Sequence, residues 1–393
     1  MVLSECTGYC LQEAKMKSVS IKRYMYIDAL RAFAISGVVL LHVSVWVTPE
    51  SGVFQGISRA GAFGVQLFFV ASALTLFLSM KGRKNETYPV TNFFIRRFFR
   101  IAPMFYCAII TYYFYNKISY DTIIPAFVSW WHVLLTALFL HGWHSETINS
   151  VVPGCWSIAV EMTFYVSIPI LFSKLKGIKE SLYFLFVTII LAKLFLVAFT
   201  HFMHITGNFT YYWFFSQLPV FVLGIVLYHT IEMNKDVKDK PFGIFLILAS
   251  GFMLIAFLNF SCWGNLIQQY QVYAFVFCVF ALGLHFYPQG IFVNRITVSI
   301  GKVSYSLYLT HFLVWDLFKK IFHGDFFIKG DLGTVIAFLM IFSVSLVVSY
   351  LTYFLIEKPG IKVGNLLIEY LDSAQSGRLK QLAFWGYRPF IRR

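Results

Sequence analysis

Eleven runs of about 18 or more mostly apolar residues follow one another along the chain, at 26–47, 60–80, 98–116, 124–141, 156–173, 182–200, 211–229, 242–260, 268–287, 298–318 and 334–356. A helix of that length covers the roughly 30 Å hydrocarbon core of a bilayer. Backbone polar groups find no water there, so a chain crosses only as helices or as a closed barrel. Barrel strands are about ten residues long and alternate apolar with polar positions. These runs are longer and unbroken, which predicts an all-α fold, a polytopic transmembrane helical bundle. Hydrophobic residues make up 59 % of the chain and charged residues 13 %, more apolar surface than a soluble domain needs. Aromatic residues reach 20 %, which suits Trp and Tyr belts at the lipid interface. The net charge of +14 would suggest nucleic acid for a soluble protein. Here it reads as topology, because Lys and Arg collect in cytoplasmic loops, and no nucleic-acid partner is expected.

Those cations also set the expected number of spans. With 1–25 in the cytoplasm, Lys81, Arg83, Lys84, Arg96, Arg97 and Arg100 fall on that side. If 124–141 crosses, Lys174, Lys176, Lys179, Lys235, Lys238, Lys240 and the tail ending in Arg392 and Arg393 land outside. If it does not, they return inside, and only Arg59, Lys117, Lys319, Lys320 and Lys329 remain outside. The expectation is therefore about ten spans with both termini cytoplasmic, in the inner (cytoplasmic) membrane, and 124–141 as a re-entrant or interfacial segment covered by protein. Pro125, Trp130, Trp131 and His132 in that run are unusual for a lipid-facing span. The chain divides into a cytoplasmic segment (1–25) without a signal-peptide core, a membrane domain (26–359) and a basic cytoplasmic tail (360–393). Glu357-Lys358-Pro359 reads as the stop of the last span with an interfacial ion pair.

Ionisable residues inside a span are costly and mark function by default. The first run holds Arg31 and His42. Eleven residues are close to three helical turns, so the two share a face about 16 Å apart along the axis, with Asp28 on the same face. One reading makes His42 a general base or nucleophile and Arg31 the stabiliser of an anion. The other is a buried Asp28–Arg31 pair and a hydrogen-bonded histidine. Arg96, Arg97 and Arg100 form a second cluster. It has the geometry to grip several phosphate oxygens, or it is a plain topology signal beside lipid headgroups.

A third group opens a span after Pro153-Gly154: Trp156, Ser157, Glu161 and Tyr165. Ser157 and Glu161 lie one turn apart on one face. Glu161 is a candidate partner for His42 or for a substrate hydroxyl, or an acid favoured by the helix dipole. A fourth group, Ser304, Tyr305, Tyr308, Thr310 and His311, lines a cavity or bonds between helices. The pairs His141/His144 and His201/His204 have no further ligands spaced for a metal, so no metal is expected. The six cysteines are scattered; Cys155 and Cys262 alone are expected to approach each other, on the outer side. Walker loops, nucleophile elbows and dinucleotide fingerprints are absent from the sequence. An enzyme is one functional class these residues allow. A secondary transporter or flippase using Arg31, His42 and Glu161 as an intramembrane relay is another, although no internal repeat of the kind transporters carry is visible.

Taken in order, the motifs resemble the acyltransferase 3 family of multi-pass membrane O-acyltransferases. They are Arg-x10-His at Arg31 and His42, Phe68-Phe69-Val-Ala-Ser72, Arg96-Arg97-x-x-Arg100, Trp156-Ser157 through Glu161 to Tyr165, Pro219-Val-Phe221-Val-Leu-Gly224, and Ser304-Tyr305-Ser306-Leu-Tyr308-Leu with His311. The resemblance implies transfer of an acyl group, commonly acetyl, from acyl-CoA at the cytoplasmic face to a hydroxyl of a cell-surface or lipid-linked glycan of the cell envelope. Acetyl-CoA or another acyl-CoA would be a donor substrate, with no tightly bound cofactor. His42, Arg31 and Glu161 would be catalytic, and Arg96, Arg97 and Arg100 would serve the donor's phosphates. Asp28, Ser72, Trp156, Ser157, Tyr165, Ser304, Tyr305, Tyr308 and His311 would line the substrate cavity. Ala32 and Ala73 stand where glycine is usual, and Met162 where a second acid often follows Glu161. Some relatives carry a secreted hydrolase-like domain that this sequence does not show, so direct transfer to the acceptor, or to a separate protein, is expected.

Overall fold

The computed structural model of the chain describes residues 25–118, 128–202, 208–258, 267–322 and 330–375, and every regular element among them is helical. The elements are α1 (Met25–Trp46), the short α2 (Gly52–Ala60), α3 (Gly64–Gly82), α4 (Pro89–Ile118), α5 (Trp130–Ala137), α6 (Trp156–Lys174), α7 (Ile178–Val197), α8 (Asn208–Tyr212), α9 (Phe214–Met233), α10 (Lys240–Leu258), α11 (Gln269–Phe286), α12 (Arg295–Lys302), α13 (Ser304–Ile321), α14 (Asp331–Thr352) and α15 (Lys358–Gln375). The molecule is an all-α polytopic bundle. Eight helical stretches among the described residues are long and apolar enough to cross a membrane: α1, α2–α3, α6, α7, α8–α9, α10, α11 and α14–α15. Helices α4 and α13, of 30 and 18 residues, are about 45 and 27 Å long and more polar.

Burial separates the bundle into an inner and an outer layer. Helices α3 and α9 are packed on most sides, with Phe77, Phe221, Leu74 and Ile225 sealed from solvent. Helices α7 and α10 instead turn Phe186, Leu194, Phe245, Leu248, Phe252 and Ile255 outward. Contiguous apolar faces of that size are stable against lipid and not against water. Small residues let α1 and α3 touch backbone to backbone. A Cβ on Gly61 would sit 2.2 Å from the carbonyl oxygen of Gly37, and one on Gly64 2.3 Å from that of Ala34. This contact fixes α1 against α3, so the face of α1 bearing Arg31 has a definite neighbour.

Two expectations meet the structure here. Within 124–141, residues 124–127 lie outside the described residues. Of the rest, 130–137 form α5, whose eight residues extend about 12 Å and cannot span. Two residues past the end of α5, Phe139 takes φ 59° and stacks on Phe105 at 5.1 Å. A non-glycine residue is uncommon in that backbone region, and the buried stacking holds it there. The Glu357-Lys358-Pro359 triplet does not stop the last helix. Residues Tyr353–Glu357 form one π turn, in which the N–H of Lys358 reaches back to the carbonyl of Tyr353, and the helix continues as α15. The widened turn precedes the proline, which has no N–H to give. Glu357 is 1 % exposed and accepts a hydrogen bond from Ser306 Oγ at 2.8 Å, so it is a buried carboxylate and not an interfacial one. Helix α15 then lies along the start of α4, close enough that a Cβ on Gly364 would meet Phe99 at 2.7 Å.

Candidate functional site: an arginine vestibule and an inner cavity

Three helix ends build the basic end of the bundle: the start of α1, the end of α3 and the start of α4. Between them and α15 opens a vestibule of about 630 Å3 lined by Asp28, Arg31, Thr75, Arg83, Arg96, Arg97, Arg100 and Asn365 among others. Five guanidiniums thus face one space. A smaller inner cavity of about 70 Å3 lies deeper in the bundle. Its walls include Phe68, Ser72, Ser157, Glu161, Tyr165, Ser304, Tyr305 and Tyr308. Arg31, Arg97 and Arg100 line both spaces, so they form the junction between them.

Each junction arginine is held differently. Arg31 donates from Nη1 to Asp28 Oδ1 and from Nη2 to Thr75 Oγ1, both at 2.9 Å. Asp28 is itself placed by close packing, since a Cβ on Gly301 would fall 1.8 Å from its carbonyl oxygen. Arg97 lies over the rings of Phe93 and Tyr165, 5.7 Å from each centroid, a cation–π arrangement that leaves its N–H groups for a ligand. Arg100 is balanced chiefly by the buried Glu357. Arg96 stands apart on the rim, where Nη1 and Nη2 hold both oxygens of Glu86 at 2.9 and 2.8 Å. Burial pushes the Glu86 carboxyl up, but its bonds from Arg96 and Asn92 outweigh this and hold it below the usual carboxylate range.

Glu161 lines the inner cavity. Its Oε1 accepts from Ser72 Oγ at 2.5 Å and from Tyr165 OH at 2.6 Å. The one-turn spacing of Glu161 and Tyr165 on α6 supplies the second bond, and the packing of α3 on α6 supplies the first. Ser157, Tyr308 and Gly154 close the deep end. Tyr308 OH donates to the Gly154 carbonyl and accepts from Ser157 Oγ, each at 2.9 Å. Gly154 has φ +75°, and a Cβ there would lie 2.8 Å from Tyr308 OH, so backbone and packing both call for glycine. Tyr305 lines the wall with its OH on the Ile101 carbonyl at 2.9 Å.

The structure therefore gathers Arg31, Arg97, Arg100, Ser72, Ser157, Glu161, Tyr165, Ser304, Tyr305 and Tyr308 around one cavity. It places Asp28 and Arg96 in the vestibule. Trp156 lines neither space; it is 6 % exposed and stacks on Tyr212 at 4.6 Å. His42 and His311 also lie outside both cavity walls, beyond Tyr308. The His42 ring is 4.4 Å from Phe312, 5.4 Å from His311 and 6.4 Å from Trp315, centroid to centroid. Glu161 is bonded to Ser72 and Tyr165 and not to His42. Sequence reasoning missed Thr75, Arg83, Glu86, Asn365 and the buried placement of Glu357. A threonine in an otherwise apolar span was the signal available for the first.

Among the described residues no three His, Cys, Asp or Glu side chains converge as a metal site. His141 is turned into the protein with Nε2 on the Cys155 carbonyl at 3.0 Å. His204 and Cys262 lie outside the described residues.

Comparison with known proteins agrees with this architecture. The chain belongs to the acyltransferase 3 family, whose model, described as an acyltransferase domain, matches residues 24–354. It is similar to the O-acetyltransferase OatA of Staphylococcus aureus strain MRSA252, with 23 % identity over 384 residues, covering 89 % of this chain and 59 % of that protein. The OatA protein of strain NCTC 8325 is 24 % identical over 379 residues, with 88 % and 58 % covered. The chain thus spans about three fifths of the length of these curated relatives. No solved structure matches it.

Proposed function

We propose that this chain is an integral-membrane O-acyltransferase that moves an acyl group, acetyl by the analogy of its relatives' names, from acyl-CoA to a hydroxyl of a cell-surface or lipid-linked glycan. One observation carries the reading: a polycationic vestibule opens through Arg31, Arg97 and Arg100 into a small polar cavity inside a membrane bundle. Coenzyme A has the matching shape, a polyanionic nucleotide followed by a thin arm that ends in the thioester. The phosphates stay with the guanidiniums, where charge-assisted bidentate bonds are strongest. The arm passes Arg31 and brings the carbonyl up beside Glu161 and Tyr308. The basic end is then cytoplasmic, in accord with the positive-inside rule. The glycan approaches from the opposite end, by way of His42.

His42 removes the proton from the acceptor hydroxyl as its oxygen attacks the thioester carbonyl. The C–S bond breaks, and the thiolate leaves toward Arg31 and Arg97 or takes the proton back from the imidazolium. In the alternative order, the imidazole takes the acyl group first and passes it to the hydroxyl. Ser72 and Tyr165 hold Glu161 with one oxygen toward the cavity, where it orients the incoming arm or acceptor.

The test uses membrane vesicles holding the chain, supplied with acetyl-CoA labelled in the acetyl group. Base-labile label should accumulate in the glycan fraction with wild-type protein and vanish with His42→Ala, while the protein level stays the same. Retained transfer in His42→Ala, or a chain that consumes no acetyl-CoA, would return the relay of a transporter to the front.

A further inference from the structure

His311 is a buried titratable group that the reaction above leaves unused. It is fully buried on α13, one turn beyond Tyr308, and lies between Phe312, Tyr308 and His42. Its Nδ1 is 3.2 Å from the Leu307 carbonyl. A carbonyl only accepts, so Nδ1 carries the hydrogen and Nε2 carries the lone pair. That Nε2 is buried and has no hydrogen-bond partner among the described residues. An unmet acceptor inside a membrane bundle is costly. The helix backbone holds the ring in this one tautomer, because residue 307 is four positions before it on the same helix.

His42 is in the opposite condition. Its ring packs against Phe312, His311 and Trp315 but makes no hydrogen bond among the described residues, so nothing fixes its tautomer. A general base in an apolar setting needs an acceptor on its far nitrogen, both to aim the near lone pair at substrate and to hold the cation that forms. The two rings are 5.4 Å apart between centroids, about the separation of two imidazoles joined by one N–H···N bond.

We propose that His311 is the positioning residue for His42. Its Nε2 accepts the N–H of His42 in the working state, as a carboxylate does in a catalytic triad. His42 then presents its other nitrogen to the acceptor hydroxyl, and the proton it gains is shared toward His311 and returned to the thiolate. An imidazole in place of a carboxylate keeps this membrane site free of a permanent negative charge beside the glycan path. The inference rests on His42 being the base or nucleophile, and the test separates the two claims.

Four variants are compared in the vesicle assay at saturating labelled acetyl-CoA, with melting temperature and acetyl-CoA affinity measured on the purified proteins. His42→Ala reads the parent claim. His311→Leu fills the space with no acceptor. His311→Gln places an amide oxygen near the Nε2 position, and His311→Asn keeps a donor for Leu307 but reaches no further. The expected result is a loss of about 100-fold in maximal rate for Leu and Asn, with Gln restored to within about tenfold of wild type and acetyl-CoA affinity unchanged in all three. The inference is overturned if Leu keeps wild-type turnover while His42→Ala is dead, or if folded Gln is as impaired as folded Asn. Should Leu fail to accumulate, the Gln-to-Asn comparison alone decides. Activity in His42→Ala would remove the parent reading, whatever the position-311 variants do.

Discussion

The three arginines of the Arg-Arg-x-x-Arg motif look equivalent in sequence, and the structure gives each different surroundings. Replacing them singly with Gln should therefore give three different phenotypes. Arg96 pairs with Glu86 on the rim, where both side chains keep a fifth to a quarter of their exposure. Its loss should cost about 1 kcal/mol of stability and little donor affinity. Arg97 has ring faces and, among the described residues, no carboxylate within ion-pair distance. Its loss should leave stability nearly intact and remove one charge-assisted bond to a phosphate, worth about 1.5–3 kcal/mol, or roughly 10- to 150-fold in affinity. Arg100 is the strongest positive charge acting on the buried Glu357, which also accepts a hydrogen bond from Ser306 and feels Arg31. Leaving a buried carboxylate without its strongest positive neighbour is destabilising, up to about 3–5 kcal/mol where the two are directly paired, whereas removing both charges is often close to neutral. Arg100→Gln should thus lower the melting temperature the most, and Arg100→Gln with Glu357→Gln should recover most of that drop. Thermal melts of the detergent-solubilised proteins, with and without acetyl-CoA, read both quantities. The reasoning is refuted if the double variant melts lower than Arg100→Gln, or if Arg96→Gln loses as much acetyl-CoA affinity as Arg97→Gln.

Other expectations follow from single contacts. Gly154→Ala should destabilise the bundle by about 2–3 kcal/mol, from left-handed strain and the displaced Tyr308 hydroxyl; a melting temperature equal to wild type would count against the deep end as drawn. Glu161→Gln keeps the shape and both acceptor bonds but removes the charge, so acetyl-CoA binding should hold or tighten while transfer falls at least tenfold. Equal loss of both would make Glu161 merely structural. Thr75→Val should weaken acetyl-CoA binding severalfold by freeing Arg31 Nη2, a change isothermal titration would register. Because Glu86 is held below the usual carboxylate range, the stability it lends is present at neutral pH and is lost as pH falls through its folded value. Proteolysis of the segment around Glu86 should quicken on the acid side in wild type, and a Glu86→Gln variant should lack that step.

The class of fold was legible because run length and apolarity alone demand membrane helices. The stripe on α1 was legible only up to the helix surface. Periodicity put Asp28, Arg31 and His42 on one face, and the first two do meet. Which helices receive Arg31 and His42 depends on contacts far apart in sequence: Thr75 on α3 for one, Phe312 and His311 on α13 for the other. Glu357 was misread because a proline after a charged residue usually ends a helix, and a π turn five residues long cannot be seen in composition. Charge balance set 124–141 apart as a non-crossing segment, but its own sequence is apolar enough to pass for a span, and nothing in it marked a helix only eight residues long. Segments 203–207, 259–266 and 323–329 lie outside the described residues.

The central claim is that one path runs from the arginine vestibule into the polar cavity and carries the thioester. An electron cryo-microscopy map of the chain in nanodiscs, bound to a non-hydrolysable thioether analogue of acetyl-CoA, tests it most directly. Phosphate density on Arg83, Arg97 and Arg100, with the arm passing Arg31 and its tip beside Glu161 and Tyr308, is the result expected. Nucleotide density at the opposite end of the bundle, or an inner cavity that stays empty while the vestibule fills, would contradict it.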